Sequence, residues 1–436
     1  MAPPKLTYFS IKGLGEPVRF ILSYANVEFI DDRVNFVEDW PKVKPTTPFG
    51  KLPVLEVDGK KVTQASAICR YYAKKCGLVG KDDWEDLLID ATVGTFDDMR
   101  QAISTYFYDQ NEESKKKKLD LLIKETIPFY MERLEKQIKE NGGYLVNGKL
   151  TWADLWVVSL LDLVNKYTER TLEEKYPLII ALKEKVLAIP SIKAWVAKRP
   201  VTDWFYSSIS DNYVNTVNYV CSQNLMLAER RGSMAPPKLT YFPIRGLGEP
   251  IRFVLSYANE KFIDDRITTE DWPKIKPTTP FGKLPILEID GKIVNQTAAI
   301  CRYYAKKAGI AGKDDWEALL IDATVGTFDD MRMAISGYHT DPNEESKAKK
   351  YDILIKETIP FYMGRLDKQV EENEGFFVNG KLSWADLWVV ALLGTMSYFA
   401  KIDLVEDYPN VRALKDKVLS IPQIKAWVAK RPLTDY

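Results

Sequence analysis

The sequence predicts a small α/β domain followed by an all-helical domain, and it predicts that pair twice along one chain. Three observations carry this expectation. Met1-Ala-Pro-Pro-Lys-Leu-Thr-Tyr-Phe9 recurs as Met234 to Phe242; after one residue is dropped before Trp272, the repetition holds until Trp204 aligns with Tyr436. The first part of each copy alternates short apolar segments with glycine and proline turns. From Trp84 onward the apolar residues adopt helical spacing and keep it. A repeat of about 200 residues exceeds any solenoid unit and can bury a core of its own. The expected boundaries are 1–80 and 81–204 for the two domains of the first copy, 205–233 for a linker, and 234–312 and 313–436 for the second copy.

Lys5-Leu-Thr-Tyr-Phe9 reads as a short strand, and Gly13 and Gly15 mark the turn after it. Glu16 and Pro17 are expected to open a helix, where proline at the first position is harmless. Val18, Ile21, Leu22 and Ala25 then form an apolar stripe, repeated as Ile251, Val254, Leu255 and Ala258. A further strand fits near Asp31 to Val34. Leu52 to Gly59 reads as a strand ending in an Asp-Gly turn, with Lys60 to Thr63 as its hairpin partner. Gln64 to Lys75 is helical and stops at Gly77.

In the second part, Trp84, Leu87, Leu88, Ala91, Thr95, Met99 and Ile103 are expected to line one face of a long helix. Polar residues from Asp109 to Glu113 end it, and a second helix runs to Asn141-Gly-Gly143. Thr151-Trp-Ala-Asp154 has the form of a capping box, kept as Ser383-Trp-Ala-Asp386 with one hydroxyl exchanged for another. Residues 205–233 belong to neither copy and lack the composition of a standard flexible or stiff linker. Natural fusion, two neighbouring genes read as one, and an engineered junction at Gly232-Ser233-Met234 all fit that segment.

Composition removes several classes of function. An apolar fraction of 46% and a charged fraction of 28% are those of a globular protein. Sixty-one basic against 61 acidic residues give no electrostatic case for nucleic acid. No apolar run approaches the roughly 18 residues of a membrane span, and no secretion signal opens the chain, so a cytoplasmic protein without a membrane partner is expected. The cysteines show no framework spacing; Cys69 and Cys301, repeat equivalents on a helix, read as packed thiols. The single histidine, His339, has no counterpart in the first copy, which argues against histidine triads and histidine-bound zinc. Asp97-Asp98 has Gly94 one turn earlier, too few carboxylates for a metal; no metal is expected. Gly13-Leu-Gly15 is only part of a dinucleotide fingerprint, because Val18 takes the third glycine position. Lys115 to Lys118 reads as a solvated helix face, broken by Ala348 in the second copy.

Taken together, Leu-Thr-Tyr-Phe, Asp-Trp-Pro, Pro-Phe-Gly-Lys-Leu-Pro, Ala-Ile-Cys-Arg-Tyr and Leu-Thr-Trp-Ala-Asp-Leu, in this order and twice over, resemble the sigma-class glutathione transferases. That class includes insect enzymes and haematopoietic prostaglandin D synthases. The resemblance covers 1–204 and 234–436. It implies a thioredoxin-like domain followed by an all-helical domain, duplicated in tandem. It also implies glutathione as co-substrate, held at its glycine end by Trp40, Lys44 and Lys51 and along its middle by Gly50, Leu52 and a cis Pro53. Gln64 and Ala65 would hold the γ-glutamyl end at a helix N-terminus, which favours anions. Asp98 would reach the glutathione of a partner subunit. The second copy would use Trp272, Lys276, Gly282, Lys283, Leu284, Pro285, Gln296, Thr297 and Asp330 in the same ways.

Tyr8 and Tyr241 are the catalytic residues that the resemblance implies, and the chemistry sets the size of their task. A thiol of pKa about 8.5 is a few per cent ionised at neutral pH, and lowering it by about two units takes roughly 2.7 kcal/mol. One charge-assisted hydrogen bond from a neutral phenol, with local dipoles, is of that order. No cysteine lies in 10–13 or 243–246, where a thioredoxin-type dithiol would sit, which excludes disulfide exchange there.

Two departures from the family pattern stand out. The residue after the glutamine is normally serine or threonine: Thr297 fits, whereas the first copy has Ala65 and places its hydroxyl at Ser66, about 100° around the helix. The vertebrate prostaglandin synthases carry an arginine where this chain has Leu14 and Leu247. The reading is a tandem glutathione transferase acting on hydrophobic electrophiles such as lipid-peroxidation products, with residues near Tyr106 and Tyr338 in the electrophile pocket. The copies would pair within the chain or as homodimers. Its rivals are a glutathione-dependent prostaglandin-type isomerase and a non-enzymatic crystallin-like or ligand-carrying protein.

Overall fold

The structure is a computed structural model that describes residues 2–109, 111–202 and 235–434; the linker segment 205–233, with Cys221, lies outside the described residues. The chain divides into two units, residues 1–214 and 215–436. The first unit opens with β1 (Lys5–Phe9), α1 (Gly15–Tyr24), β2 (Ile30–Val34), α2 (Trp40–Val43), β3 (Val54–Val57), β4 (Lys60–Thr63) and α3 (Ala65–Lys75). Helices α4 (Asp83–Phe107), α5 (Glu112–Leu121), α6 (Ile127–Glu140), α7 (Trp152–Thr168), α8 (Pro177–Ala188) and α9 (Pro190–Lys198) follow. The second unit repeats the order as β5 (Lys238–Tyr241), α10 (Gly248–Tyr257), β6 (Ile263–Arg266), α11 (Trp272–Ile275), β7 (Ile286–Ile289), β8 (Lys292–Asn295) and α12 (Thr297–Lys307). Its helical part is α13 (Asp315–His339), α14 (Glu344–Ile353), α15 (Ile359–Glu372), α16 (Trp384–Ala400), α17 (Pro409–Ser420) and α18 (Pro422–Lys430).

Each sheet has four strands, in the order β2-β1-β3-β4 and β6-β5-β7-β8. β1 pairs parallel with β2 and antiparallel with β3, which pairs antiparallel with β4. A parallel pair joined through a helix, followed by a hairpin, is the thioredoxin-like arrangement, and α1 and α3 pack together beside it. The extra strand expected near Asp31 is β2.

The all-helical domain is built around α7, which contacts α1, α3, α4 and α8. Fourteen of its residues are buried, among them Leu155, Leu160, Leu161 and Leu163, and each buried leucine contributes about 1.5–3 kcal/mol. Its start is the expected capping box: Asp154 Oδ2 accepts from the Thr151 N–H at 2.7 Å and its hydroxyl at 2.9 Å. Asp154 Oδ1 also accepts from Leu145 N–H at 2.9 Å, so one buried carboxylate satisfies a helix start and a preceding turn. Burial pushes that carboxyl up to about 6, below neutral pH.

Three local expectations need correction. α1 begins at Gly15, so Pro17 stands third in the helix rather than first. The second long helix is interrupted by a π-helical turn over Leu122–Thr126, which ends two residues before Pro128, whose missing N–H breaks the regular ladder. On α4, Trp84 and Leu88 are only half-buried, whereas Ile89, Val93 and Phe96 are buried outside the expected stripe. Contacts from several neighbours, α5, α6 and α7, cover more of this helix than one amphipathic face would allow.

The two domains of a unit are joined by a buried ionic cluster. Glu16 of α1 accepts from Trp195 Nε1 at 3.0 Å and pairs with Arg19 and Arg199, while Arg19 also pairs with Asp31 at 2.8 Å. Glu249, Trp427, Arg252, Arg431 and Asp264 rebuild it in the second unit.

Candidate active site

Strand register brings the separated candidates to one end of each sheet. Thr7 lies opposite Val54, and Val54 opposite Thr63. One residue beyond that row, on three adjacent strands, stand Tyr8, Pro53 and Gln64. Strands about 4.8 Å apart set Tyr8 and Gln64 roughly 10 Å from each other, the span of three extended residues. Thr240, Ile286 and Asn295 form the same row in the second unit, followed by Tyr241, Pro285 and Gln296.

Tyr8 is buried at 7% exposure, and two glycines make its room. A Cβ on Gly13, whose φ is +43°, would lie 2.5 Å from the Tyr8 hydroxyl, and one on Gly15 would lie 2.6 Å from the ring. The glycines that sequence suggested only as a turn therefore shape the tyrosine's seat. The Tyr8 hydroxyl accepts from the Leu14 N–H at 2.9 Å. Arg19 lies 5.7 Å from the ring centre and donates to the carbonyls of Ile11 and Lys12, at 3.0 and 3.3 Å, which pins the loop. Burial pushes the Tyr8 phenol up to about 12, overriding the opposing pull of the Leu14 N–H. At neutral pH Tyr8 is therefore protonated, a donor toward an anion at this end of the sheet. Tyr241 is arranged alike, with its hydroxyl accepting from Leu247 N–H at 3.2 Å.

The Leu52–Pro53 and Leu284–Pro285 bonds are cis, as the resemblance implied. Gly50 and Gly282, before them, have φ of +56° and +55°. Gln64 and Gln296 sit at φ +73° and +74°, a region that residues with side chains rarely occupy and that concentrates at functional sites. Ala65 and Thr297 follow as the first residues of α3 and α12 and are buried, while Ser66 is half-buried. The shifted hydroxyl thus does stand in a different environment.

Trp40 is buried edge-to-face with Phe9, next to Tyr8, the ring centres 5.2 Å apart; Trp272 packs on Phe242 with ring centres 5.8 Å apart and is half-buried. Lys44 is exposed, and Lys51, Lys276, Lys283, Leu52 and Leu284 are half-buried. Asp98 and Asp330 are half-buried on α4 and α13. Their neighbours Asp97 and Asp329 clasp Arg100 and Arg332.

The helical side of the site holds residues that sequence reading missed. Arg100 and Tyr108 act electrostatically on Tyr8. The Tyr108 and Tyr167 hydroxyls are 2.8 Å apart, and Phe107 stacks on Tyr167 at 4.1 Å. In the second unit His339 stacks on Phe399 at 4.0 Å and Thr340 replaces Tyr108, so the hydroxyl pair is gone. Tyr106, expected in the pocket, lies under Lys115, and Tyr338 is buried against Tyr351. A clue existed in sequence: at 107 and 108 the copies exchange Phe-Tyr for His-Thr. Cys69 and Cys301 are buried, and burial pushes both thiols up, as packed thiols require. Among the described residues no group of His, Cys, Asp and Glu side chains could hold a metal ion, and no helix is long and apolar enough to cross a membrane.

The profile of the glutathione S-transferase N-terminal domain matches residues 4–74 and 237–306, and that of the C-terminal domain matches 97–199 and 329–431. The chain belongs to the glutathione S-transferase family. A glutathione S-transferase of Anopheles gambiae is 46% identical over 198 residues, 45% of this chain and 98% of its own. Glutathione S-transferase S1 of Drosophila melanogaster is 46% identical over 197 residues, 45% of this chain and 79% of its own. Haematopoietic prostaglandin D synthase of Gallus gallus is 42% identical over 198 residues, 45% of this chain and 97% of its own. This transferase thus carries both family domains twice in tandem and is about twice as long as its relatives.

Proposed function

We propose that each unit binds glutathione across the sheet end and that Tyr8 and Tyr241 donate hydrogen bonds to its thiolate, which then attacks a hydrophobic electrophile. The observation that carries this is Tyr8 itself: buried, seated on two glycines, and with burial pushing its phenol up to about 12. The row Tyr8, Pro53, Gln64 spans a tripeptide's length. Along it Trp40, Lys44 and Lys51 receive the glycine carboxylate, the backbone of Leu52 pairs with the cysteinyl group, and Gln64 with the N-terminus of α3 receives the γ-glutamyl end. Lysines suit a carboxylate as point charges. A thiolate in this position forms a carbon–sulfur bond with the electrophile; the leaving group departs, or, in an addition, water protonates the adduct.

This reading places the chain in the sigma class, in the cytoplasm, with lipid-peroxidation products as acceptors and with its units paired two-fold, within one chain or between chains. In such a pair Asp98 and Asp330 complete the glutathione site of the partner unit. The likeness to the chicken prostaglandin D synthase favours one second reading, glutathione-dependent isomerisation of a prostaglandin-type endoperoxide. Leu14 and Leu247 count against it.

The test is the thiolate absorbance of bound glutathione, titrated with pH in the full chain carrying Tyr8→Phe, Tyr241→Phe or both. Each single change is expected to return one bound thiol toward its free pKa, a rise of about two units. Unchanged titration in the double variant removes the tyrosines from the mechanism. Assays with a chromogenic electrophile and with an endoperoxide separate conjugation from isomerisation.

A further inference from the structure

The loop between β1 and α1 in the first unit, residues 10–14, is held from two sides. From its own domain, Arg19 Nη1 donates to the carbonyls of Ile11 and Lys12 at 3.0 and 3.3 Å, and the Glu16 N–H donates to the Lys12 carbonyl at 3.0 Å. From the helical domain, Asp162 of α7 accepts from Lys12 Nζ at 2.6 Å, across 150 positions. Gly13 and Leu14 come next and seat Tyr8, whose hydroxyl accepts from the Leu14 N–H at 2.9 Å. That N–H occupies a lone pair of the phenol oxygen and leaves the phenol proton to donate elsewhere. In a chain of N–H, O–H and anion, each bond polarises the next.

Asp162 is itself held for this task. Lys183 stands 3.8 Å from it and pairs with Glu173 at 2.6 Å. Burial works to raise the Asp162 carboxyl, but Lys12, then Lys183 and Arg199, hold it below the usual range, so it is a carboxylate at neutral pH. The Lys12 and Asp162 side chains remain 24% and 40% exposed, and a pair so exposed adds little to global stability. What it can set is where the loop lies. The second unit is the comparison. Its arginine pins are the same, Arg252 Nη1 donating to the carbonyls of Ile244 and Arg245 at 2.9 and 3.3 Å. Position 245 stays cationic, but Gly394 stands where the first unit has Asp162, and Val405 where it has Glu173. The Leu247 N–H lies 3.2 Å from the Tyr241 hydroxyl, against 2.9 Å for Leu14 and Tyr8. The copy without a carboxylate at this point of the α7-equivalent helix is the copy with the longer bond to its tyrosine.

We propose that Asp162 is a positioning residue of the first site: through Lys12 it fixes the loop whose Leu14 N–H aligns the Tyr8 hydroxyl, a device that glycine at 394 denies the second site. This rests on the reading that Tyr8 supports the glutathione thiolate. It makes the two sites differ in how firmly the same phenol is aimed, and so in the acidity of the bound thiol, while leaving the catalytic groups themselves identical.

The experiment titrates thiolate absorbance with pH in the full chain, saturated with glutathione and carrying Tyr241→Phe, so that the low-pKa thiol belongs to the first site. Asp162→Asn and Lys12→Met, added singly, are each expected to raise that pKa by about half a unit, about threefold less thiolate at neutral pH, which is the scale of an exposed ion pair. Asp162→Glu, which keeps the charge, should hold the parent value. Turnover of a chromogenic electrophile by Asp162→Asn should fall about threefold near pH 6.5 and recover above about pH 9.5, where the thiol ionises unaided. A merely structural role would lower turnover equally at both. If Tyr8→Phe raises the first thiol's pKa while Asp162→Asn and Lys12→Met both leave it unchanged, the positioning role is overturned and the thiolate reading stands. If Tyr8→Phe itself leaves the pKa unchanged, the thiolate reading falls and the positioning role falls with it.

Discussion

The two copies keep the sheet end that carries Tyr8, Pro53 and Gln64 and their interdomain ionic cluster nearly unchanged, and differ more in the helical domain. Thr7, Tyr8, Pro53 and Gln64 have equivalents in the same register, with cis bonds and positive φ at matching places. Yet Tyr108, Tyr167 and Asp162 become Thr340, Phe399 and Gly394. Under the proposed function, two units that bind the same thiol and differ in their helical domains would act on different acceptors. At that sheet end the exception is Ala65 against Thr297, and under the proposed function it should alter affinity for glutathione rather than chemistry.

The largest effects should fall where the copies agree. Glu16→Ala and Glu249→Ala each leave two arginines beside an emptied buried position, which costs about 3–5 kcal/mol. Denaturant unfolding should show the loss in the affected unit, to a similar extent for either substitution; a loss under 1 kcal/mol would mean that water replaces the carboxylate. Next, Gly13→Ala should displace the Tyr8 phenol and lower turnover at the first site at least tenfold, since its methyl meets the hydroxyl at 2.5 Å and φ is positive. Gly246→Ala meets Tyr241 at 2.8 Å and should do the same at the second site. Steady-state rates measured with the other site silenced by a tyrosine-to-phenylalanine change would check both.

The pH profile offers a test of sign. Because burial pushes the Tyr8 phenol up to about 12, its proton stays in place through the working range. Activity of the Tyr8 site should therefore rise once, with ionisation of the glutathione thiol, and show no fall below about pH 10. A descending limb near pH 8 would contradict a protonated tyrosine. The smallest effect expected is that of Tyr167→Phe. It removes a hydroxyl pair absent from the second copy and should cost about 1 kcal/mol or less in stability. It should also shift acceptor preference at the first site toward that of the second, measured with a panel of electrophiles.

What was legible in sequence was what is local. The β1 strand, the hairpin, the capping boxes and the helix after Gln64 are each specified within a few residues, and the repeat confirmed them by substituting serine for threonine at a cap. The cis prolines and the grouping of Tyr8, Pro53 and Gln64 came through family resemblance, because register between strands forty residues apart is not written in periodicity. The contacts between the two domains of a unit stayed hidden for a related reason. Lys12 meets Asp162 across 150 positions, and Glu16 meets Arg199 across 183, and no local pattern announces such pairs. Gly13 and Gly15 were seen as a turn, and only the position of the Tyr8 ring shows why a side chain there would be costly.

The central claim is that the chain carries two glutathione sites of one chemistry and unequal strength. Calorimetric titration of the full chain with glutathione tests it most directly. Two classes of site are predicted, with the tighter assigned to Thr297 and separated from the weaker by about tenfold, the value of one hydrogen bond to a carboxylate. Thr297→Ala should merge the classes at the weaker affinity, and Ala65→Ser should merge them at the tighter one. A single class in the wild-type chain, unmoved by either substitution, would contradict the account.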